Sequence, residues 1–439
     1  MRTPFTSNAW DEPTLQVLQK QQNARHLVGF RRWQDEQLGI FMQQGFPHRK
    51  HEHWKYTNVS AIAKQAFALM VSDVATTNIH ALRLAHAHVF VFVNGHFISA
   101  LSQPEALPAG VMFWNMKTLL TERDLSSAFT LSDVYHTPFS SLNAALLTDG
   151  LCLSIPDHTV LDRPIHLLCV TTDGEKASMS HPRHWIQIGV NSRAVIFEEY
   201  VGCSRGSYFN NVVMHMDVGE GAEVQYYKLQ REGDQAFHIA NTIVRQQKKS
   251  RVESYHVAMG AQLGREDLRY ALQGEETHSH LWGLYCARDQ RTIDCHSRID
   301  HTQSRGSSEQ HYRGIASSSS RAVFNGKIVV HPQAQQTQAR QTNKNLLLSS
   351  TAEVNTKPEL EIYAHDVQCT HGATVGQLDE EALFYLCSRG IDRLTARQLL
   401  IHAFVDEILS QLKHTDIAEK ITQNVAECLA ISLRGDGYE

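Results

Sequence analysis

The densest grouping of residues able to do chemistry is His365-Asp366-Val367-Gln368-Cys369-Thr370-His371-Gly372-Ala373. On an extended strand Cys369 and His371 point to the same side, because side chains repeat every two residues. A thiolate and an imidazole on one face form a pair suited to iron, zinc or an iron–sulfur cluster. Two ligands leave a tetrahedral site half filled. The others must come from elsewhere in this chain or from another subunit, and a bare Cys-x-His, taken alone, favours a role other than metal binding. His365 reaches the same face only if the strand is unbroken through six residues, so it is left out.

The chain holds 26 histidines, a count that invites a metal-protein reading. Few have a partner at ligand spacing. Cys295 and His296 are adjacent and would face opposite ways on a strand, whereas His278-x-His280 and His86-x-His88 share a face but lack a cysteine or carboxylate nearby. Asp300-His301 is expected as a hydrogen-bonded pair at a strand end, and most other histidines are expected on the surface. The eight cysteines include no Cys-x-x-Cys, which argues against a zinc ribbon, a self-contained ferredoxin or a thioredoxin-like pair. Such spacing fits a reducing cytosol, with most thiols acting as small buried apolar groups.

The sequence also lacks a Walker A motif, a Gly-x-Gly-x-x-Gly, a His-Glu-x-x-His and a Gly-x-Ser-x-Gly, so a self-sufficient kinase, dehydrogenase or hydrolase is not expected. With 41 basic against 46 acidic residues, there is no bias toward nucleic acid or anionic membrane. The run Val89 to Val93 is far short of the ~20 apolar residues that cross a bilayer, and Met1 to Thr6 lead into no secretory signal. A cytoplasmic location is expected.

Four segments must position these residues. Residues 1–75 read as a helical domain, with a helix starting at Asp11 and Pro13, running to Gln44 and stopped by Gly45 and Pro47. The basic, aromatic stretch His48 to Thr57 reads as a connector anchored by Trp54 and Tyr56. Residues 76–160 form a connecting α/β region, and 161–377 a β core. Within the core, strand starts near residues 251, 278, 308, 337 and 366 interleave with others near 267, 292, 321 and 352. A two-strand unit recurring every 25 to 31 residues predicts a mainly β fold of stacked coils, a β-helix or related solenoid. Gly219-Glu220-Gly221 reads as a turn between strands. Residues 378–439 read as a second helical domain. There Asp379 is the first N-cap and Gly390 a helix stop; Ala396, Leu399, Leu400, Ala403, Phe404 and Ile408 form one apolar stripe, and a third helix spans about Asp416 to Leu433.

The run from Pro358 to Ala364, then Asp366 to Gly376, resembles the SufB/SufD family of iron–sulfur cluster assembly proteins, as do Leu383 to Ile391, Val323 to Val330 and Asn343 to Leu348. The likeness covers roughly residues 180–435. Cys-Thr-His-Gly-Ala looks like the SufD form, since SufB members usually read Cys-Ser-His-Glu-Ala, and Trp54-Lys55-Tyr56-Thr57 points the same way. The resemblance implies a right-handed parallel β-helix between two helical domains, and a non-catalytic scaffold acting with SufB and the ABC-type ATPase SufC. It implies pairing with SufB through the end of the β-helix, where a transient iron or iron–sulfur cluster meets His371 with Cys369 in support and SufB completes the ligand set in trans. It places SufC on the C-terminal helices, with Phe384, Tyr385, Arg389, Leu399, Leu400 and Phe404 as the contact residues. It implies no ATP or flavin site in this chain. His365 departs from the acidic residue expected there, and Cys387 is read as packing. A homodimer through the free end is expected where SufB is absent. The alternatives are a SufB-like scaffold that holds a cluster by itself and, more remotely, a β-helix enzyme acting on polysaccharide, which the lack of an aspartate cluster disfavours.

Overall fold

The computed structural model describes residues 10–23, 26–71, 79–104, 107–123, 136–172 and 176–435; of Asn23 and residues 432–435 only the backbone is described. Two long sheets face each other. One stacks Arg183–Ile188, Tyr208–Val218, Ala236–Gln246, Leu263–Leu272, Thr292–His301, Arg321–Val330 and Glu353–Ile362 in parallel register. The second stacks Ile165–Thr171, Arg193–Gly202, Glu223–Arg231, Arg251–Ala258, His278–Ala287, Ser307–Ala316, Thr337–Leu347 and Val367–Gly376. The chain alternates between them, so the protein is mainly β, a parallel β-solenoid with helices at both ends. Most strand starts deduced from the repeat fall within a residue of those observed; that near 267 was placed four residues late. Gly221, at φ +65°, does close a turn between strands.

The helices are α1 (Glu12–Asn23), α2 (Val28–Gln44), α3 (Ser60–Lys64), α4 (Met116–Glu122), α5 (Pro138–Ala145), α6 (Glu380–Ser388), α7 (Arg393–Leu409) and α8 (Thr415–Gly435). The single helix expected between Asp11 and Gln44 is therefore two, and Gly45, at φ +66°, ends the second by donating its N–H to the Phe41 carbonyl. Asp379 caps α6 by accepting from the Glu381 and Ala382 amides. No helix among the described residues is long and apolar enough to cross a membrane.

Burial falls into three main layers. Inside the solenoid, Ile196, Val224, Tyr226, Val252, Leu281, Ile293 and Phe324 meet from both sheets. Against the outer face of the first sheet pack Trp10, Phe41, Phe46, Trp54 and Phe139. Trp54 anchors the connector as expected, with the Arg265 guanidinium 3.7 Å from its ring centroid, while Tyr56 is only half-buried. On the outer face of the second sheet, Phe197, Tyr227, Leu229 and Leu284 are covered by Ile401, Val405, Ile417, Ile421 and Val425 of α7 and α8.

The buried side of α7 is Ala396, Ile401, Val405 and Ile408, so the stripe deduced from sequence is rotated: Leu399 and Ala403 face solvent and Leu400 is half-buried. Histidine divides between surface and interior. His51, His53, His80, His158 and His402 are exposed as expected, whereas His26, His166, His181, His184, His215, His238 and His256 are buried, as are His88 and His301. Nor do Asp300 and His301 bond to each other: Asp300 accepts from Arg298 and contacts His331, whereas His301 meets Ser308 across the solenoid interior at 2.8 Å. Neighbours on a strand face opposite sides, so the two turn to different partners: Asp300 to Arg298 on its own strand and to His331, His301 to Ser308 on the facing strand.

Candidate functional site

Parallel pairing in register carries one side-chain direction from coil to coil, which makes columns along the solenoid. One interior column reads Ile196, Tyr226, Ser254, Leu281, Gln310, Gln341, His371. The next reads Ala194, Val224, Val252, Ser279, Ser308, Ala339, Cys369. The structure thus brings the two ligand-type residues together at adjacent inward positions of the Val367–Gly376 strand, which ends the second sheet.

Their column-mates Gln310 and Gln341 are fully buried, and Ala339 is 4% exposed. His371 is exposed, since no coil follows, and it makes no hydrogen bond or ion pair with the described residues. Cys369 is half-buried beside Ala339, Val367 and Leu360, and that burial raises its thiol above the ordinary value, against a smaller opposing hydrogen bond with the Ala339 backbone. An imidazole with free lone-pair access and a thiol that a metal must first deprotonate are unequal ligands. His371 is the stronger candidate and Cys369 the supporting one. Among the described residues no group of three or more His, Cys, Asp or Glu is placed to hold a metal ion, so this pair has no third ligand in the described part of its own chain.

The rest of the end coil is open. Ile362, Tyr363 and Val375 are exposed hydrophobics there, and the Glu353–Ile362 and Val367–Gly376 strands are the terminal strands of their sheets. Unpaired strand edges of this length are templates for another chain. His365 is exposed with its amide on the Gln335 side chain, and Cys387 is half-buried on α6. Phe384 is 74% and Tyr385 57% exposed on α6, with Arg389 lying over the Tyr385 ring. Leu399 is also exposed on α7. Phe404 is engaged within the chain, its ring under the Arg313 guanidinium at 4.5 Å.

Sequence reasoning missed the titratable interior. Lys228 lies 2.7 Å from Glu266 and 4.0 Å from Glu198, and the Tyr200 and Tyr226 hydroxyls donate to Glu198. Although burial opposes its charge, the two carboxylates hold Lys228 protonated above its ordinary range, and Lys228 in turn keeps Glu198 low. Glu232 accepts from Gln230 and Asn210 and lies 2.7 Å from His238 Nδ1. The available signal was a charged residue at an inward position of a recurring unit.

A parallel β-solenoid flanked by helices and ending in a coil with open strand edges is the class of protein that the fold defines. The particular family follows from comparison. Residues 170–404 match the model "SUF system FeS cluster assembly, SufBD core domain" and residues 17–167 match "SufBD protein N-terminal region". The chain belongs to the SufBD family of iron–sulfur cluster assembly proteins, on its SufD side. It is 36% identical over 393 residues to an iron–sulfur cluster assembly SufBD family protein of Synechocystis, covering 87% of each chain. It is 29% identical over 403 residues to the iron–sulfur cluster assembly protein SufD of Escherichia coli, covering 90% of this chain and 92% of that one. A chloroplastic protein of Arabidopsis thaliana, ABCI7, is 32% identical over 411 residues, 90% of this chain and 85% of its own.

Proposed function

We propose that this protein is a non-catalytic scaffold subunit of a SufB–SufC–SufD complex, in which the open coil docks a SufB-like partner and His371 supplies a ligand to iron or a nascent iron–sulfur cluster. The cluster is cargo here, held transiently and completed by ligands from the partner. The observation that carries this reading is the exposure of His371, with Cys369 half-buried beside it, at the end of columns that are closed everywhere else along the second sheet. A neutral imidazole donates its ring-nitrogen lone pair without a proton to displace; Cys369 adds a thiolate once metal binding removes its proton.

The C-terminal helices dock the SufC-like ATPase, through Phe384, Tyr385, Arg389 and Leu399 with Leu400 and Phe404 beside them. ATP hydrolysis there moves the helices and alters the partner interface, coupling the nucleotide cycle to cluster formation or admission of iron. Exposed aromatic and aliphatic residues clustered on short helices suit such a contact. Without the SufB-like partner, the same open edge suits a homodimer. Affinity capture of the full chain from its native cell tests the reading: an ABC ATPase and a SufB-like protein should co-purify, and loss of the ATPase alone should follow Phe384→Asp. Recovery of the chain with neither protein would contradict it.

A further inference from the structure

On the outer face of the first sheet three cations share one column. Arg269, Arg298 and Lys327 are register partners on the Leu263–Leu272, Thr292–His301 and Arg321–Val330 strands. Neighbouring strands lie about 4.8 Å apart, so three like charges fall within roughly 10 Å. Like charges directly opposite each other destabilise a sheet. Carboxylates of the flanking columns answer part of this. Arg298 donates through two nitrogens to Asp300, Lys327 donates to Glu361 at 2.6 Å, and Arg269 lies 3.7 Å from Asp267. These pairs orient the cations without using up their donors. A guanidinium has five N–H groups and an ammonium three; Asp300 takes two from Arg298, and Glu361 takes one from Lys327.

A cavity of about 540 Å³ is lined by this column, with Pro47 and Trp54 of the N-terminal segment and Pro138 at the start of α5 on its rim. The Arg269, Arg298 and Lys327 side chains are 17%, 23% and 17% exposed, neither sealed inside nor fully hydrated. Four lining side chains are Lys or Arg, and among the described residues the one lining carboxylate is Asp267. The fourth cation, Arg265, is already committed to Asp267, Asp294 and the Trp54 ring.

We propose that this cavity binds a diphosphate group, free or esterified in a small metabolite, with Arg269, Arg298 and Lys327 as the residues that hold its oxygens. A single carboxylate spans too little of the column to meet all three cations. A diphosphate carries oxygens on two joined tetrahedra and can bridge them. Guanidinium groups suit such oxygens because they donate in pairs, and Lys327 adds a compact charge. The cavity is of the size that takes a whole small molecule, which leaves room for an ester group against Trp54 and the two prolines. None of the three cations lies on the Val367–Gly376 strand, so the site does not depend on what docks at the open coil.

The test is titration calorimetry of the full chain, at fixed salt, with inorganic pyrophosphate and separately with uridine diphosphate. Saturable binding of at least one is expected, with slowed hydrogen exchange over residues 263–272, 292–301 and 321–330. Lys327→Gln and Arg298→Gln should each weaken binding about tenfold or more, the effect of losing one hydrogen bond from a charged donor. Lys344→Gln removes an exposed charge from the second sheet and should leave the affinity unchanged. Thermal midpoints verify folding, and Arg269→Gln replaces Arg298→Gln if the latter does not fold. Tighter binding of uridine diphosphate would assign the esterified form, and tighter binding of pyrophosphate the free one. Absence of saturable binding to either would overturn the proposal. So would protection confined to the second sheet, or equal weakening by Lys344→Gln and Lys327→Gln.

Discussion

Gln341 and His371 are register partners one coil apart, and their surroundings are opposites. Gln341 is sealed between coils; His371 has the same backbone, the same inward position and nothing above it. The same contrast holds for Ala339 and Cys369. A solenoid buries each coil with the next, so the identity of an inward residue is dictated by packing everywhere except at the ends. At a free end that constraint lapses, and the positions become available for binding. Deep in the stack, polar residues such as Lys228 and Glu198 persist only because each is matched by charge and hydrogen bonds.

The largest expected break in this comparison is acid. Burial pushes His181 and His256 down to about 3, and His184 and His301 to about 4, whereas in the unfolded chain each titrates near 6.5. Between pH 6.5 and about 4 the unfolded chain therefore binds protons that the folded chain refuses. Stability present above pH 6.5 is lost as pH falls, by up to about 1.4 kcal/mol per pH unit for each histidine. Urea midpoints at pH 7 and pH 5 should separate widely; equal midpoints would mean these imidazoles are not held neutral.

Next in size is Lys228→Ala, which strands Glu198 and Glu266 and should cost about 3–5 kcal/mol in chemical denaturation. Gly283→Ala places a methyl 2.0 Å from the Tyr312 ring, and overpacking of this kind costs about 1–3 kcal/mol. At Gly372, in the last coil, nothing lies within 4 Å of the added carbon, so Gly372→Ala should change stability by less than about 0.5 kcal/mol. His371→Ala is expected within the same limit, since the residue is exposed and has no bonded partner. A loss of 2 kcal/mol or more at His371, on the same ~0.5 kcal/mol scale for surface changes, would give it a structural role and sink the contrast.

The coils were legible because alternation and a spacing near 30 residues survive in sequence: strands were placed at 278, 292, 321 and 337 and are found there. The pair Cys369 and His371 was legible as same-face neighbours, and its incompleteness with it. The buried histidines were not. Whether His256 is inside depends on the columns it shares with Lys228 and Gly283, residues 28 and 27 positions away, and no local pattern reveals that. The turns hid for a related reason. The left-handed residues that close them are often not glycine: Asn191, Lys249, Glu276, Arg305 and Gln336 all have positive φ. The rotation of the α7 stripe was missed because apolar residues lie on both of its faces, Leu394 and Leu399 on the exposed side and Ile401 and Val405 on the buried one, and only the outer face of the second sheet decides which is covered.

The most direct test of the end-coil assignment is the iron and sulfide content of a reconstituted complex of this chain with the proposed SufB-like and SufC-like partners, comparing the parent with His371→Ala. The expected result is an intact, correctly assembled complex whose content of iron and acid-labile sulfide falls several-fold, with a smaller loss for Cys369→Ala. Full cluster assembly by the His371→Ala complex would contradict the assignment.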